Sequence, residues 1–194
     1  MVCPRTFAII AIALFVAFHA PAAAEVVYTP VNLSIPLSGF YRADLNHDGV
    51  PDFTVRSQII QEWCVAGDGY SWNVSITPAS GNAVVVSDGY YAAAMPLGTL
   101  IGSGQNFYTS GAFITNLWWG YCGAGTAGDW MGRPERYVGI KFRVSGSNDD
   151  HYGWIKLANV GYIDRYEHLQ SRTIVQGFAY ETVAGAPIRA GSQE

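Results

Sequence analysis

Charge is the scarcest property of this chain. Asp, Glu, Lys and Arg make up 13% of 194 residues, with 11 basic side chains against 15 acidic ones. No cluster of Lys and Arg stands out, so the electrostatic footprint of a nucleic-acid binder is missing. The acidic balance suits cations and disfavours anionic membranes. No segment past the N-terminal residues keeps a helical period of apolar positions, which excludes a helical bundle. No apolar run there reaches the roughly 20 residues that a spanning helix needs. Gly102-Ser103-Gly104 lacks the Gly-x-Ser-x-Gly frame, so the nucleophile elbow of a serine hydrolase is absent. None of the three cysteines stands in a Cys-x-x-Cys pair or at Cys/His ligand spacing. That sets aside zinc and dithiol redox chemistry.

The N-terminal residues read as an export signal. Arg5 supplies a positive start, Thr6 to Ala20 is a short apolar run, and Ala22-Ala23-Ala24 is a small-residue cleavage site. The expectation is a signal peptide over 1–24, a cut before Glu25, and a secreted or periplasmic domain over 25–194. The tail from Arg189 to Glu194 carries no anchor sequence. Cys3 leaves with the leader, and Cys64 and Cys122 remain in an oxidising compartment. A Cys64–Cys122 disulfide follows, worth roughly 4 kcal/mol in the chain-entropy model. The alternative is a pair of buried thiols.

The richest stretch is Asp44-Leu45-Asn46-His47-Asp48-Gly49-Val50-Pro51-Asp52-Phe53. It places acidic or amide side chains at relative positions 1, 3, 5 and 9 and a glycine at 6. That is the ligand spacing of an EF-hand-type calcium loop. Asp44, Asn46, Asp48 and Asp52 would give side-chain oxygens, Asp52 through a water, and Val50 a main-chain carbonyl. Position 12 is Val55 rather than glutamate, and the flanks Phe40-Tyr41-Arg42 and Phe53-Thr54-Val55-Arg56 read as strands. The expectation is a calcium loop joining two strands. A hydrophilic Asp-Gly hairpin turn without an ion is the alternative.

Elsewhere short stretches alternate between apolar and polar residues. Trp72, Val74 and Ile76 share one face of Tyr70 to Thr77, and Val138, Ile140, Phe142 and Val144 share another. His151 to Leu157 is expected to pair with the latter as a hairpin. Arg172 to Val183 is expected to put Ile174, Phe178 and Tyr180 on one face. Gly-, Asn- and Asp-rich turns separate these runs. The fold class is all-β, an antiparallel β-sandwich or jelly-roll-like single domain. Leu97 to Met131 is expected to form long aromatic loops.

The aromatic set suggests a carbohydrate-binding module as a second function. Trp118 and Trp119 are adjacent, so in extended chain they point opposite ways and one is free to stack on a sugar ring. The partner would be an extracellular glycan or cell-surface polymer. A third reading is a hydrolase with a carboxylate pair drawn from Glu62, Glu135, Glu167 and Glu181. No nucleophile–base or acid–base signature supports it, so no catalytic residue is assigned. Asp149-Asp150-His151 reads as a turn entering a strand, or as a histidine bonding backbone there, before it reads as a metal cluster.

Three motifs in order carry a family resemblance. They are Gly139-Ile140-Lys141-Phe142, His151-Tyr152-Gly153-Trp154, and Ala179-Tyr180-Glu181-Thr182 through Pro187-Ile188-Arg189-Ala190-Gly191. With the Asp44–Phe53 loop they resemble uncharacterised secreted bacterial β-sandwich proteins, some of which end in a PEP-CTERM sorting anchor. The resemblance implies export and a β-sandwich but no established activity. The missing sorting motif would favour release or the periplasm.

Overall fold

A computed structural model describes residues 24–194 apart from Cys122, Pro134, Ser145 and Glu167. All of the expected leader but Ala24 lies outside the described residues. In chain order the strands are β1 (Val26–Ile35), β2 (Phe40–Ala43), β3 (Phe53–Cys64), β4 (Gly67–Pro78), β5 (Ala83–Asp88), β6 (Tyr91–Ala92), β7 (Leu100–Ile101), β8 (Phe107–Tyr108), β9 (Ala112–Gly120), β10 (Gly125–Ala127), β11 (Glu135–Arg143), β12 (Asp150–Ile163), β13 (Leu169–Glu181) and β14 (Ile188–Arg189). The described residues contain no helical element.

The long strands form one continuous sheet in the order β1-β13-β12-β11-β5-β6-β9-β4-β3-β2. Its pairings are antiparallel except for a short parallel contact between β6 and β9. β5 is the corner. Ala83 and Val84 pair β11, and Val86 and Asp88 further along pair β6, so the sheet passes from one half to the other along this strand and closes into a nearly barrel-like form. Alternation puts Trp72, Val74, Ile76, Val138, Ile140 and Phe142 into the core between them. The expected hairpin of β11 and β12 is present, from Glu135 opposite Ala158 to Arg143 opposite Asp150.

Two features depart from the alternation pattern. In β13 the register jumps from Gly177 opposite Lys156 to Val175 opposite Leu157. This bulge leaves Gln176 as the extra residue, so Val175 rather than Ile174 joins Phe178 and Tyr180 in the main core. The expectation for Ile174 is corrected on that ground. The segment Leu97 to Met131 is not all loop, since β9 runs through it between β4 and β10. Ile101 and Phe107 from it, with the C-terminal segment, cover the back of β11, β12 and β13, whereas β10 pairs β9 and Trp130 enters the main core. Ile101, Ile188 and Ala190 pack there against Trp154, Tyr152 and Val85 in a second apolar cluster.

Candidate functional site

The Asp44–Asp52 loop closes the β2–β3 hairpin. Phe40 pairs with Arg56 and Ala43 with Phe53, and the Asp52 N–H donates to the Ala43 carbonyl at 2.8 Å. Leu45 is fully buried and anchors the loop in the core. Gly49 sits at φ +87°, a conformation that explains glycine at this position.

Inside that frame the loop wraps around its own amides. Asp44 accepts from the Gly49 N–H through Oδ2 at 2.8 Å and from the Asp48 N–H through Oδ1 at 3.2 Å. Asn46 Oδ1 accepts from the same Asp48 N–H at 3.3 Å. Two ligand-type oxygens therefore converge on one point. Asp48 Oδ1 accepts from the Val50 N–H at 2.8 Å, and Asp48 Oδ2 accepts from Asn46 Nδ2 at 3.1 Å. The donor set is hard oxygen throughout, the ligand type that calcium takes. Among the described residues no three His, Cys, Asp or Glu side chains form a metal-type group.

Asp52 does something that its spacing does not reveal. It is 7% exposed, and its Oδ2 accepts from the Leu45 N–H at 2.8 Å. Oδ1 accepts from Asn82 Nδ2 at 3.3 Å, and the Asp52 carbonyl accepts from the Ala79 N–H at 2.7 Å. Asn82 Oδ1 in turn accepts from the Arg143 N–H. Asp52 thus ties the loop to the β4–β5 turn and to β11. Burial pushes its carboxyl up to about 6, helped by the charges of Asp44 and Asp48 and opposed by the bonds from Leu45 and Asn82. Val50 is exposed at the loop tip.

The second candidate lies where β4, β9 and β12 run past the core. Trp119 and Tyr70 face each other across the β4–β9 pairing and stack at 5.8 Å between ring centroids, tilted by 27°. Beside them a cleft of about 450 Å³ is lined by Trp119, Gly120, Tyr121, Ala124 and Ile163. That size lies in the range of small-ligand sites. Trp118 points the other way, and its ring lies against Gly125 of β10. The opposed directions agree with the expectation for adjacent residues in extended chain. Trp63 and Tyr121 are each 77% exposed in the same region of the chain pairing. Sequence patterning missed Tyr70 and Tyr121. Their signal was present, since Tyr70 alternates with Trp72 and Trp119 with Leu117.

The remaining candidates are dispersed. Cys64 ends β3, and Cys122 lies outside the described residues. Its neighbour Tyr121 donates its N–H to the Asp68 carbonyl and packs its ring on Gly67, which is paired with Cys64. His151 is buried and sets Nδ1 3.0 Å from the Glu181 carbonyl. Asp150 instead binds Lys141 and Arg143, and Asp149 binds Ser147, so Asp149, Asp150 and His151 hold no common point. Glu62 accepts from the Ser71 hydroxyl, Glu135 from Gln176, and Glu181 from backbone amides. Glu167 lies outside the described residues. No family model matches the chain, and no curated protein or solved structure matches it.

Proposed function

We propose that the protein is an exported, non-catalytic β-sandwich module whose Asp44–Asp52 loop takes one structural calcium ion. The carrying observation is the convergence of Asp44 Oδ1 and Asn46 Oδ1 on the Asp48 amide, with Asp48 folded back over them. The ion would relieve the mutual repulsion of these carboxylates and fix the β2–β3 hairpin. Val50 would contribute its carbonyl, and Asp52 would act through a water, because its own oxygens already hold Leu45 and Asn82. The leader-like N-terminus and the resemblance to exported bacterial proteins support export. A Cys64–Cys122 bridge belongs to the same reading, supported by the packing of Tyr121 on Gly67.

Extracellular modules bind calcium at about 10⁻⁴–10⁻³ M, so 1 mM calcium should add roughly 0.4–1.4 kcal/mol. In a domain of this size that is a rise of about 1–5 °C in melting temperature. Asp48→Ala should abolish the rise while leaving the fold intact by circular dichroism. Melting curves of the wild type that coincide in calcium and in excess chelator would remove the ion.

A specific observation favours a second activity on the same module, namely carbohydrate binding in the cleft lined by Trp119 and Tyr121, beside the Tyr70–Trp119 stack. Apolar faces of pyranose rings stack on such aromatic platforms, and each buried ring face adds apolar burial to its contacts. Trp119→Ala should weaken retention on the polysaccharide that binds the wild type by about tenfold or more, the loss of a good aromatic anchor. Trp118→Ala, whose ring serves β10, should leave retention within about twofold. Failure of the wild type to bind any glycan on an array, or equal losses in both variants, would count against this site.

A further inference from the structure

We propose that removal of the leader before Glu25 builds an ion pair, in which the new α-ammonium of Glu25 seats on the buried carboxylate of Glu181. The inference rests on the export reading above. Glu181 stands at the end of β13, opposite Val26, and is only 5% exposed. Its Oε1 accepts from the backbone nitrogen of Glu25 at 3.1 Å and from the Val183 N–H at 3.0 Å. The Thr182 N–H donates to the Glu25 carbonyl at 2.9 Å, which pins Glu25 from its other side. Among the described residues no Lys or Arg pairs with Glu181.

A carboxylate this buried is costly when only neutral amides answer it. In the uncleaved chain the Glu25 nitrogen is one of those amides. Hydrolysis of the Ala24–Glu25 bond gives the carbonyl carbon of Ala24 the hydroxyl of water and gives the Glu25 nitrogen its proton. A further proton from solvent makes that nitrogen an ammonium below its pKa. Ala24 and Glu25 are exposed, so the bond is open to a protease, while the acceptor waits beneath it. Among the described residues β1 has β13 as its one strand partner, so the pair would fasten an edge strand at its first residue.

Other charged groups near the pair are constant between precursor and product. On β12, His151 meets the Glu181 carbonyl, and Asp150 is held by Lys141 and Arg143. On β13, the hydroxyl of Tyr180 is raised by burial and then by the charges of Asp52 and Glu25. An α-amino group beside a carboxylate has its pKa raised above the usual value of about 7.7–8.0. Its stabilisation is therefore complete below about pH 7.7 and lost as pH rises through the folded value.

The test compares protein beginning at Glu25, released scarlessly from a removable fusion, with protein carrying Gly-Ser ahead of Glu25. Each is made with Glu181 and with Glu181→Gln, and melted from pH 6 to 10. The form beginning at Glu25 should melt about 5 °C or more above the extended form at pH 6.5. That advantage should vanish towards pH 10 and should be absent in the Glu181→Gln pair. Equal melting of extended and unextended wild type, or an advantage independent of pH, overturns the proposal without any need for the variant to fold. N-terminal sequencing of the exported chain separates the two readings. Glu25 as first residue supports the pair, another first residue overturns it with export intact, and an unprocessed, retained chain overturns export itself.

Discussion

Trp72→Ala should cost about 3–5 kcal/mol, the range for truncating a fully buried tryptophan. Trp72 is 1% exposed, lies in β4 at the centre of the core, and donates its Nε1–H to the Ser57 hydroxyl at 3.0 Å. Ser57 is itself buried, so truncation also leaves its oxygen without a donor. The ring also lies against Gly161 of β12, where a Cβ would collide with it. That contact brings β4 and β12 together across the core. Gly161→Ala should therefore cost about 1–3 kcal/mol by overpacking. In the Trp72→Ala background the same methyl group meets a cavity, and its cost should disappear. Urea titration of the four proteins in this cycle measures the coupling. Additive losses would show that Trp72 and Gly161 do not meet in solution.

The pairing of Trp72 with Gly161 also marks where sequence patterning stops. Alternation in Tyr70 to Thr77 and in Tyr137 to Val144 identified both faces correctly, because each strand keeps one register through the core. It failed in β9 and in the first half of β13 for one shared reason. Val74 pairs with Thr115 and Ser75 with Phe113, which leaves Ile114 as an extra residue in β9. Ile114 and Thr115 are both buried in succession, so the period of two breaks mid-strand. Gln176 does the same in β13. A bulge is a property of the partner strand as much as of the bulged one, so a single segment cannot display it.

The candidate sites divide along a similar line. The spacing of Asp44, Asn46 and Asp48 was legible because their mutual bonds are local and Gly49 supplies the turn. Two further features depend on residues distant in the chain. Asp52 takes its structural role from Asn82, and Trp119 takes its stacking partner from Tyr70 across a strand pairing. Glu181 reads from the sequence as a sheet position facing solvent or an edge, and the structure corrects this by burying it, because β1 returns alongside β13.

Calcium-free protein should become less stable as pH rises from about 4 to about 6, with Asp52 as the cause. Burial raises its folded-state pKa from 3.8 to about 6. Between those values the folded state holds a proton that the unfolded chain has released, so stability falls with rising pH. A shift of about two units bounds the loss at roughly 3 kcal/mol. The carboxylate of Asp150 works in the opposite sense. Burial works against its ionisation, but the bonds from Lys141 and Arg143 outweigh burial and hold it below 3.8. Its contribution is therefore present above that value and lost only in stronger acid, outside the Asp52 window. Asp52→Asn should flatten the curve between pH 4 and 6 while keeping an oxygen to accept the Leu45 N–H. Melting temperatures in chelator across this range, wild type against Asp52→Asn, isolate the effect from the histidines that both proteins share. Parallel curves would mean that Asp52 titrates as an ordinary carboxylate. Calcium at 1 mM should shrink the wild-type slope, because a cation among Asp44, Asn46 and Asp48 favours the ionised form of the carboxylate beneath it.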